Sequence, residues 1–286
     1  MNPQIYVAEG NLLPFSRRPF PQTLDFAPKT TLMLSARFLG DFDILLNGHS
    51  VDLNWQAKMM LAYLAHSCPK RVPREQLARV FWPKKQDSRP DSARRSLNVE
   101  INHIRAGLRA ISTNAADLIV FEGNSYSICG AARLYSDVAV FKARCKKIQM
   151  ALRSHQTVQN AEFHETLALY RGNFLRDCPE NTLNWVDVER QHLVALLEDL
   201  TESYCAQLFA QSEHRLAASV CQDALAHDQR MEAIHRCLMT AYAHMSKLNL
   251  VESQYRLLVK VLDKECGTPP SAETTKLYQK IKQDYV

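Results

Sequence analysis

The chain has 286 residues, 46% of them hydrophobic and 23% charged, with a formal net charge of +5. That length favours two domains over one, and the apolar content excludes an intrinsically disordered chain. No apolar run reaches the ~20 residues of a bilayer span. The opening MNPQIYVAEGNLLPFSRRPFPQ also lacks the charged start and apolar block of a secretory signal, so a cytoplasmic protein with no membrane partner is expected.

Residues 1–30 are rich in proline (Pro3, Pro14, Pro19, Pro21 and Pro28) and carry no clean period, which reads as an extended or disordered arm. From Thr31, TLMLSARFLGDFDILLNGHSVDL alternates short apolar runs with turn signals at Gly40-Asp41 and Asn47-Gly48, predicting a small antiparallel meander. NWQAKMMLAYLAHSCPKR then sets Ala57, Met60, Leu61 and Leu64 on one helical face and stops near Pro69. VPREQLARVFW predicts a second helix with Leu77, Val80 and Phe81 facing in, and Pro83 and Pro90 break the chain after it.

The third predicted helix, SARRSLNVEINHIRAGL at 92–108, has Leu97, Ile101, Ile104 and Leu108 on one narrow stripe. Its opposite face carries Arg95, Val99, Asn102 and His103, with Arg94, Asn98 and Arg105 on the flanks. LIVFEGNSYSIC follows as strand, Gly123-Asn124 turn and strand. Meander, helix, helix, long helix and hairpin, over 31–131, is the order of a winged helix-turn-helix domain, in which the last helix enters the major groove. There an exposed valine suits a thymine methyl, an asparagine pairs with adenine, and histidine or arginine donates to guanine. Between Lys70 and Arg109 eleven basic residues face four acids, a footprint for phosphate. Arg94, Asn98, Arg105, Lys84 and Lys85 are the expected backbone contacts, which position without reading sequence. Asn124 and Ser125 would form the tip of the wing.

Beyond Cys129 the strand texture ends, and 136–286 reads as helix after helix, broken at RGNFLRDCPENT, HDQR and ECGTPP. YCAQLFAQSEHRLAASVCQDALAHD from Tyr204 aligns without gaps on LMTAYAHMSKLNLVESQYRLLVKVL from Leu238 at a spacing of 34. That period is the signature of tetratricopeptide repeats, with a generic helical bundle as the alternative. The fold class expected is thus an α+β winged helix-turn-helix domain followed by an all-α, tetratricopeptide-like repeat domain.

No phosphate-cradling glycine loop, nucleophile elbow or H-E-x-x-H pair is present, so no catalytic residue, cofactor or metal ligand is assigned and no enzyme is expected. The eight cysteines include no C-x-x-C pair and read as buried structural thiols. His227 and His235 flank a helix-helix turn.

The pieces RFLGDFDILLNGHSVDL, VPREQLARVFWP and SARRSLNVEINHIRAGL resemble, in order and spacing, the Streptomyces antibiotic regulatory protein family. So do LYRGNFL at 169–175, NWVDVERQHL at 184–193 and the terminal CGTPPSAETTKLYQKI. Members of that family join an OmpR-type winged helix to a bacterial transcriptional activator domain. The resemblance implies a transcription activator that binds direct repeats in promoter DNA, pairs as a homodimer at least on DNA, and recruits RNA polymerase. It further implies that Arg95, Val99, Asn102 and His103 face bases, that Arg94 and Arg105 face the backbone, and that the loop PKKQDSRPD can face polymerase. The wing departs from the pattern, with Ser125 where a second glycine is usual and no arginine at the tip. Glu100 and His103 likewise stand where arginine is frequent. The rival expectation is a protein-interaction adaptor whose winged helix does not read DNA.

Overall fold

The computed structural model describes residues 32–128 and 133–284. The N-terminal arm, Cys129 and the last two residues lie outside the described residues. The order of elements is β1 (Met33–Arg37), β2 (Asp43–Leu46), β3 (His49–Ser50), α1 (Trp55–Ser67), β4 (Val72–Pro73), α2 (Arg74–Phe81), α3 (Pro83–Ser88) and α4 (Pro90–Ile111). A 3-10 turn at Thr113–Leu118 then leads to β5 (Ile119–Glu122), β6 (Ser125–Ile128) and β7 (Arg133–Ser136). The remainder is helical: α5 (Asp137–Arg153), α6 (Asn160–Leu167), α7 (Asn184–Ala210), α8 (His214–Leu225), α9 (Glu232–His244), α10 (Leu248–Cys266) and α11 (Ala272–Asp284). The described residues fall into two compact units, one of 32–128, 133–141 and 172–189, the other of 142–171 and 190–284.

In the first unit the meander forms as its turns predict: β1 and β2 pair antiparallel with Leu34 opposite Leu46, and Asn47 and Gly48 take the positive φ of a tight turn. The sheet has a fourth strand that the sequence reading missed. β7 pairs parallel to β1, with Leu34 opposite Leu134, giving the order β3-β2-β1-β7. Alternate residues Leu34, Ala36, Ile44, Leu46 and Leu134 are buried on one face.

Asp137, at the start of α5, is 1% exposed and closes the end of this sheet. Its carboxylate accepts from the backbone N–H groups of Phe38 (2.8 Å), Leu39 (3.1 Å) and Val138 (2.8 Å). The segment 172–189, expected within the helical half, packs in this first unit. Leu39 and Phe174 form an isolated antiparallel bridge, and Leu175 N–H donates to the Phe38 carbonyl at 2.8 Å. Phe174 and Trp185 join Phe38, Tyr63 and His66 in one aromatic cluster, with ring centroids 5.0 to 6.0 Å apart.

Three local readings are corrected. Ala78, not Val80, joins Leu77 and Phe81 in the α2 core, Val80 being half-buried. PKKQDSRPD is not an open loop, because Pro83 and Pro90 act as first-turn residues of helices α3 and α4 rather than as breaks. Glu265 and Cys266 belong to α10, which ends at Gly267 in the left-handed conformation.

In the second unit the 34-residue spacing is visible in the backbone. Ser212 and Ser246, 34 apart, both have positive φ (61° and 56°). Each is followed by a residue whose N–H reaches back five positions, Glu213 to Leu208 and Lys247 to Tyr242, at 2.8 and 2.9 Å. His155 (φ 55°) makes the same turn between α5 and α6, with Gln156 N–H on the Ala151 carbonyl. The unit is therefore a run of helix-turn-helix pairs, α8 packing on α9 and α9 on α10. The α11 helix closes on α9 through Glu232, which accepts from Ser271 N–H at 2.7 Å. At its centre His235 is fully buried, with Nε2–H donating to the Gln229 carbonyl (2.9 Å) and Nδ1 accepting from Gln254 (2.6 Å). Burial lowers the pKa of both His235 and His227.

Candidate nucleic-acid interface

The long helix α4 holds its position through Ala93, Leu97, Ile101, Ile104 and Leu108, all buried. Four of these are the predicted stripe. Pro90 and Asp91 favour its N-terminus and Arg109 its C-terminus. At Gly107 the helix nearly touches the loop before α1: an added Cβ would lie 2.7 Å from Leu53 Cδ2 and 2.9 Å from the Asp52 carbonyl oxygen.

The outward face divides by what each side chain already does. Arg95, Val99 and Asn102 are exposed, Val99 at 50%, and none of the three has a polar partner among the described residues. They form one line at helical spacing, continued by exposed Ala106 and Arg109. The other candidates are engaged. His103 Nδ1 lies 3.0 Å from Asn54 Nδ2 and 3.2 Å from Glu100 Oε2, and Asn54 in turn caps α1 by accepting from Ala57 N–H at 2.8 Å. Glu100 is thus an anchor, which explains an acid on this face. Asp52, Leu53, Asn54, His103, Ala106 and Gly107 line a shallow recess of about 300 Å³ beside it.

Among the expected backbone contacts, Arg94 pairs with Asp91 (3.3 Å) and Glu75 (3.9 Å) while staying exposed. Asn98 accepts from the Tyr126 hydroxyl at 3.5 Å. Arg105 is half-buried and donates to the Ile119 carbonyl at 2.9 Å, tying α4 to the root of the hairpin. Lys84 and Lys85 stand exposed on α3, Lys85 reaching Ser96 Oγ at 3.3 Å. Nine of the eleven basic residues between 70 and 109 are exposed, so the local positive excess faces solvent.

The hairpin forms as read. Gly123 and Asn124 take φ of 55° and 61°, the two-residue turn that matches strand twist. Ser125 pairs with Glu122 in the β5–β6 ladder and with Pro73 of β4, which makes a third strand. Asn124 presents its carbonyl to Arg74 N–H at 3.0 Å, and the Arg74 guanidinium covers exposed Phe121 at 4.9 Å. Asn54, Arg74 and Arg109 were given no site role from the sequence, and Glu100 was noted only as an acid where arginine is frequent. Only Arg109, which continues the 95–99–102 line, carried a sequence signal.

Among the described residues no helix is long and apolar enough to cross a membrane, and no group of three or more His, Cys, Asp or Glu could hold a metal ion. No curated protein matches the sequence. The fold is similar to that in the structure "Mycobacterium tuberculosis EmbR in complex with low affinity phosphopeptide". The TM-score is 0.64 at 17% identity, over 89% of this chain and 66% of that one. Residues 136–282, just over half of the chain, match the bacterial transcriptional activator domain model. The chain belongs to the bacterial transcriptional activator domain family.

Proposed function

We propose that this protein is a sequence-specific, DNA-binding transcription activator of the Streptomyces antibiotic regulatory type, with an OmpR-type winged helix in its first unit. The observation that carries the reading is the unpartnered line Arg95–Val99–Asn102 on a rigid helix, surrounded by exposed positive charge. Such a line fits the major groove, with arginine toward guanine, valine against a thymine methyl and asparagine toward adenine. His103 reads from the edge of that line, its ring aimed by Asn54 and Glu100. Arg94, Lys84 and Lys85 contact phosphate, and Asn98 assists from beside the hairpin. Arg105 serves chiefly as the tie that holds the wing to α4 and lends its charge from there. Asn124 and Ser125 lie against the backbone without entering the minor groove, having no arginine to insert. Short helix α3 and the tetratricopeptide-like second unit offer surfaces to RNA polymerase and to a second copy of the chain, which pairs on promoter direct repeats.

The test is selection of random duplex DNA by the full-length protein at two salt concentrations. A direct repeat with half-sites about one helical turn apart supports the reading. A flat pool, or no retained DNA at either salt, overturns it and favours an adaptor.

A further inference from the structure

Beside the exposed line of α4, three side chains meet in a triangle that joins this helix to the start of α1. Asn54 Nδ2 lies 3.0 Å from His103 Nδ1 and 3.2 Å from Glu100 Oε2, and His103 Nδ1 lies 3.2 Å from Glu100 Oε2. The orientation of Asn54 is fixed from behind. Its side-chain oxygen caps α1 by accepting from Ala57 N–H at 2.8 Å, so the amide nitrogen, which only donates, is the atom turned toward α4. The imidazole is the half-exposed member, at 52%, and the Glu100 carboxylate the sheltered one, at 13%. Nε2 of His103 has no partner among the described residues, so it is the ring nitrogen left for a base.

A neutral imidazole carries one proton, and the place of that proton decides what Nε2 can offer. A carboxylate alone behind the ring draws the proton to Nδ1 and leaves Nε2 a bare acceptor, as in the serine protease triad. Here the amide stands closer. At 3.0 Å the Asn54–His103 contact has the usual length of a hydrogen bond from nitrogen. The 3.2 Å from Nδ1 to Glu100 is long for a charge-assisted bond, which runs about 2.7 to 2.9 Å. A proton on Nδ1 would also set two donors against each other at 3.0 Å. With the proton on Nε2 every group is matched, Asn54 donating one N–H to Nδ1 and the other to Glu100.

We propose that Asn54 is a positioning residue that sets base specificity: from the cap of α1 it fixes His103 as a donor at Nε2, so that His103 selects guanine and rejects cytosine at the base it meets. This rests on the DNA-reading function proposed above. In the major groove guanine offers N7 and O6 as acceptors, whereas cytosine offers its N4 amine, a donor that an Nε2–H cannot pair with. His103 stands one helical turn on from Val99 and next to Asn102, so its base adjoins those read by the exposed line. A residue outside α4 thereby enters the recognition code without belonging to the reading helix.

Two measurements on the full-length protein test this. In the first, nitrogen-15-labelled histidines are read without DNA, in mildly alkaline buffer, by long-range proton–nitrogen correlation, with His103→Ala assigning the signals. Nδ1 of His103 should show the shift of a bare ring nitrogen and Nε2 that of a protonated one. In Asn54→Ser the two should exchange, Glu100 then accepting the Nδ1 proton. Serine caps a helix as well as asparagine does, so α1 keeps its start. In the second, random duplex DNA is selected by the unaltered chain, by Asn54→Ser and by His103→Ala, which marks the base position that His103 reads. There the unaltered chain should favour guanine, and Asn54→Ser should lose roughly tenfold of the preference for guanine over cytosine, the scale of one base-edge contact. A bare Nε2 in the unaltered chain, or guanine preference kept in Asn54→Ser, would each overturn the proposal. Absence of sequence preference in every chain would overturn the reading of DNA on which it rests. Because the nitrogen spectrum is taken without DNA, and on the unaltered chain, the two failures are told apart.

Discussion

Asp137 is the buried carboxylate that closes the end of the first sheet, and Asp137→Ala is the perturbation to make. The carboxylate receives Phe38 N–H and Leu39 N–H, and both of those residues are fully buried. Removing it leaves two backbone donors with no water to take them. Each unsatisfied buried group costs about 1 to 3 kcal/mol, so the loss should be about 2 to 6 kcal/mol, centred near 4. Tryptophan fluorescence reads this cleanly, since Trp55, Trp82 and Trp185 all belong to the first unit. With a urea dependence of about 2 kcal/mol per molar, the midpoint of the fluorescence transition should fall by about 2 M. Asp137→Asn, which keeps one acceptor oxygen, should fall between. A shift below about 0.5 M for the alanine variant would refute the reasoning. It would mean that desolvating the carboxylate costs the folded protein as much as its hydrogen bonds return.

Asn102→Ala should weaken binding to the cognate duplex by about 1 to 3 kcal/mol and relax preference at one base position, as read by fluorescence anisotropy on site variants. Lys84→Ala should weaken every duplex alike and reduce the salt dependence by about one phosphate contact; a loss of base preference would count against its assignment. Gly107→Ala adds about 1 kcal/mol of helix propensity, yet it should destabilise the first unit by about 1 to 3 kcal/mol, because the new methyl meets the fixed Asp52 carbonyl. Higher stability by urea titration would show that the loop yields. His235 is neutral when folded, with its pKa below the unfolded value of about 6.5. Its contribution is therefore complete above that value and is lost progressively as pH falls from it toward the folded pKa. Heat unfolding followed by circular dichroism at pH 7.5 and 5 should show a smaller acid-induced drop in His235→Gln than in the unaltered chain, with His227 accounting for part of what remains.

Where an element's cause lies within a few residues, the sequence announces it. Leu97, Ile101, Ile104 and Leu108 fall on the buried side of α4 because a 3.6-residue period has one way to face a core. Asn47-Gly48 and Gly123-Asn124 mark their hairpins because those residues accept positive φ. The 34-residue echo, weak in residue identity, returns in the paired turns at Ser212 and Ser246. Strand β7 escaped notice because RLYS is only four residues long and its partner β1 lies a hundred positions earlier. The packing of 172–189 escaped because RGNFLRDCPENT carries only turn signals, while its place is set by Phe174 and Trp185 finding Phe38, Tyr63 and His66. Of the predicted reading residues, the outward orientation of Arg95, Val99 and Asn102 was legible from the wheel. That His103 is held by Asn54 and Glu100, and Arg105 by Ile119, was not.

The sequence by itself determined the order of the elements, the inner and outer faces of α4, the concentration of positive charge around it and the helical repeat that follows. Periodicity, turn chemistry and local charge are properties of neighbours along the chain. Only the tertiary structure decided which outward residues are left without partners, which carboxylate closes the first sheet, and that the Cys205 and Cys221 sulfurs, sixteen residues apart on α7 and α8, lie 3.5 Å from each other. Those outcomes depend on side chains brought together by packing across tens of residues, and no window of sequence contains both halves of such a contact.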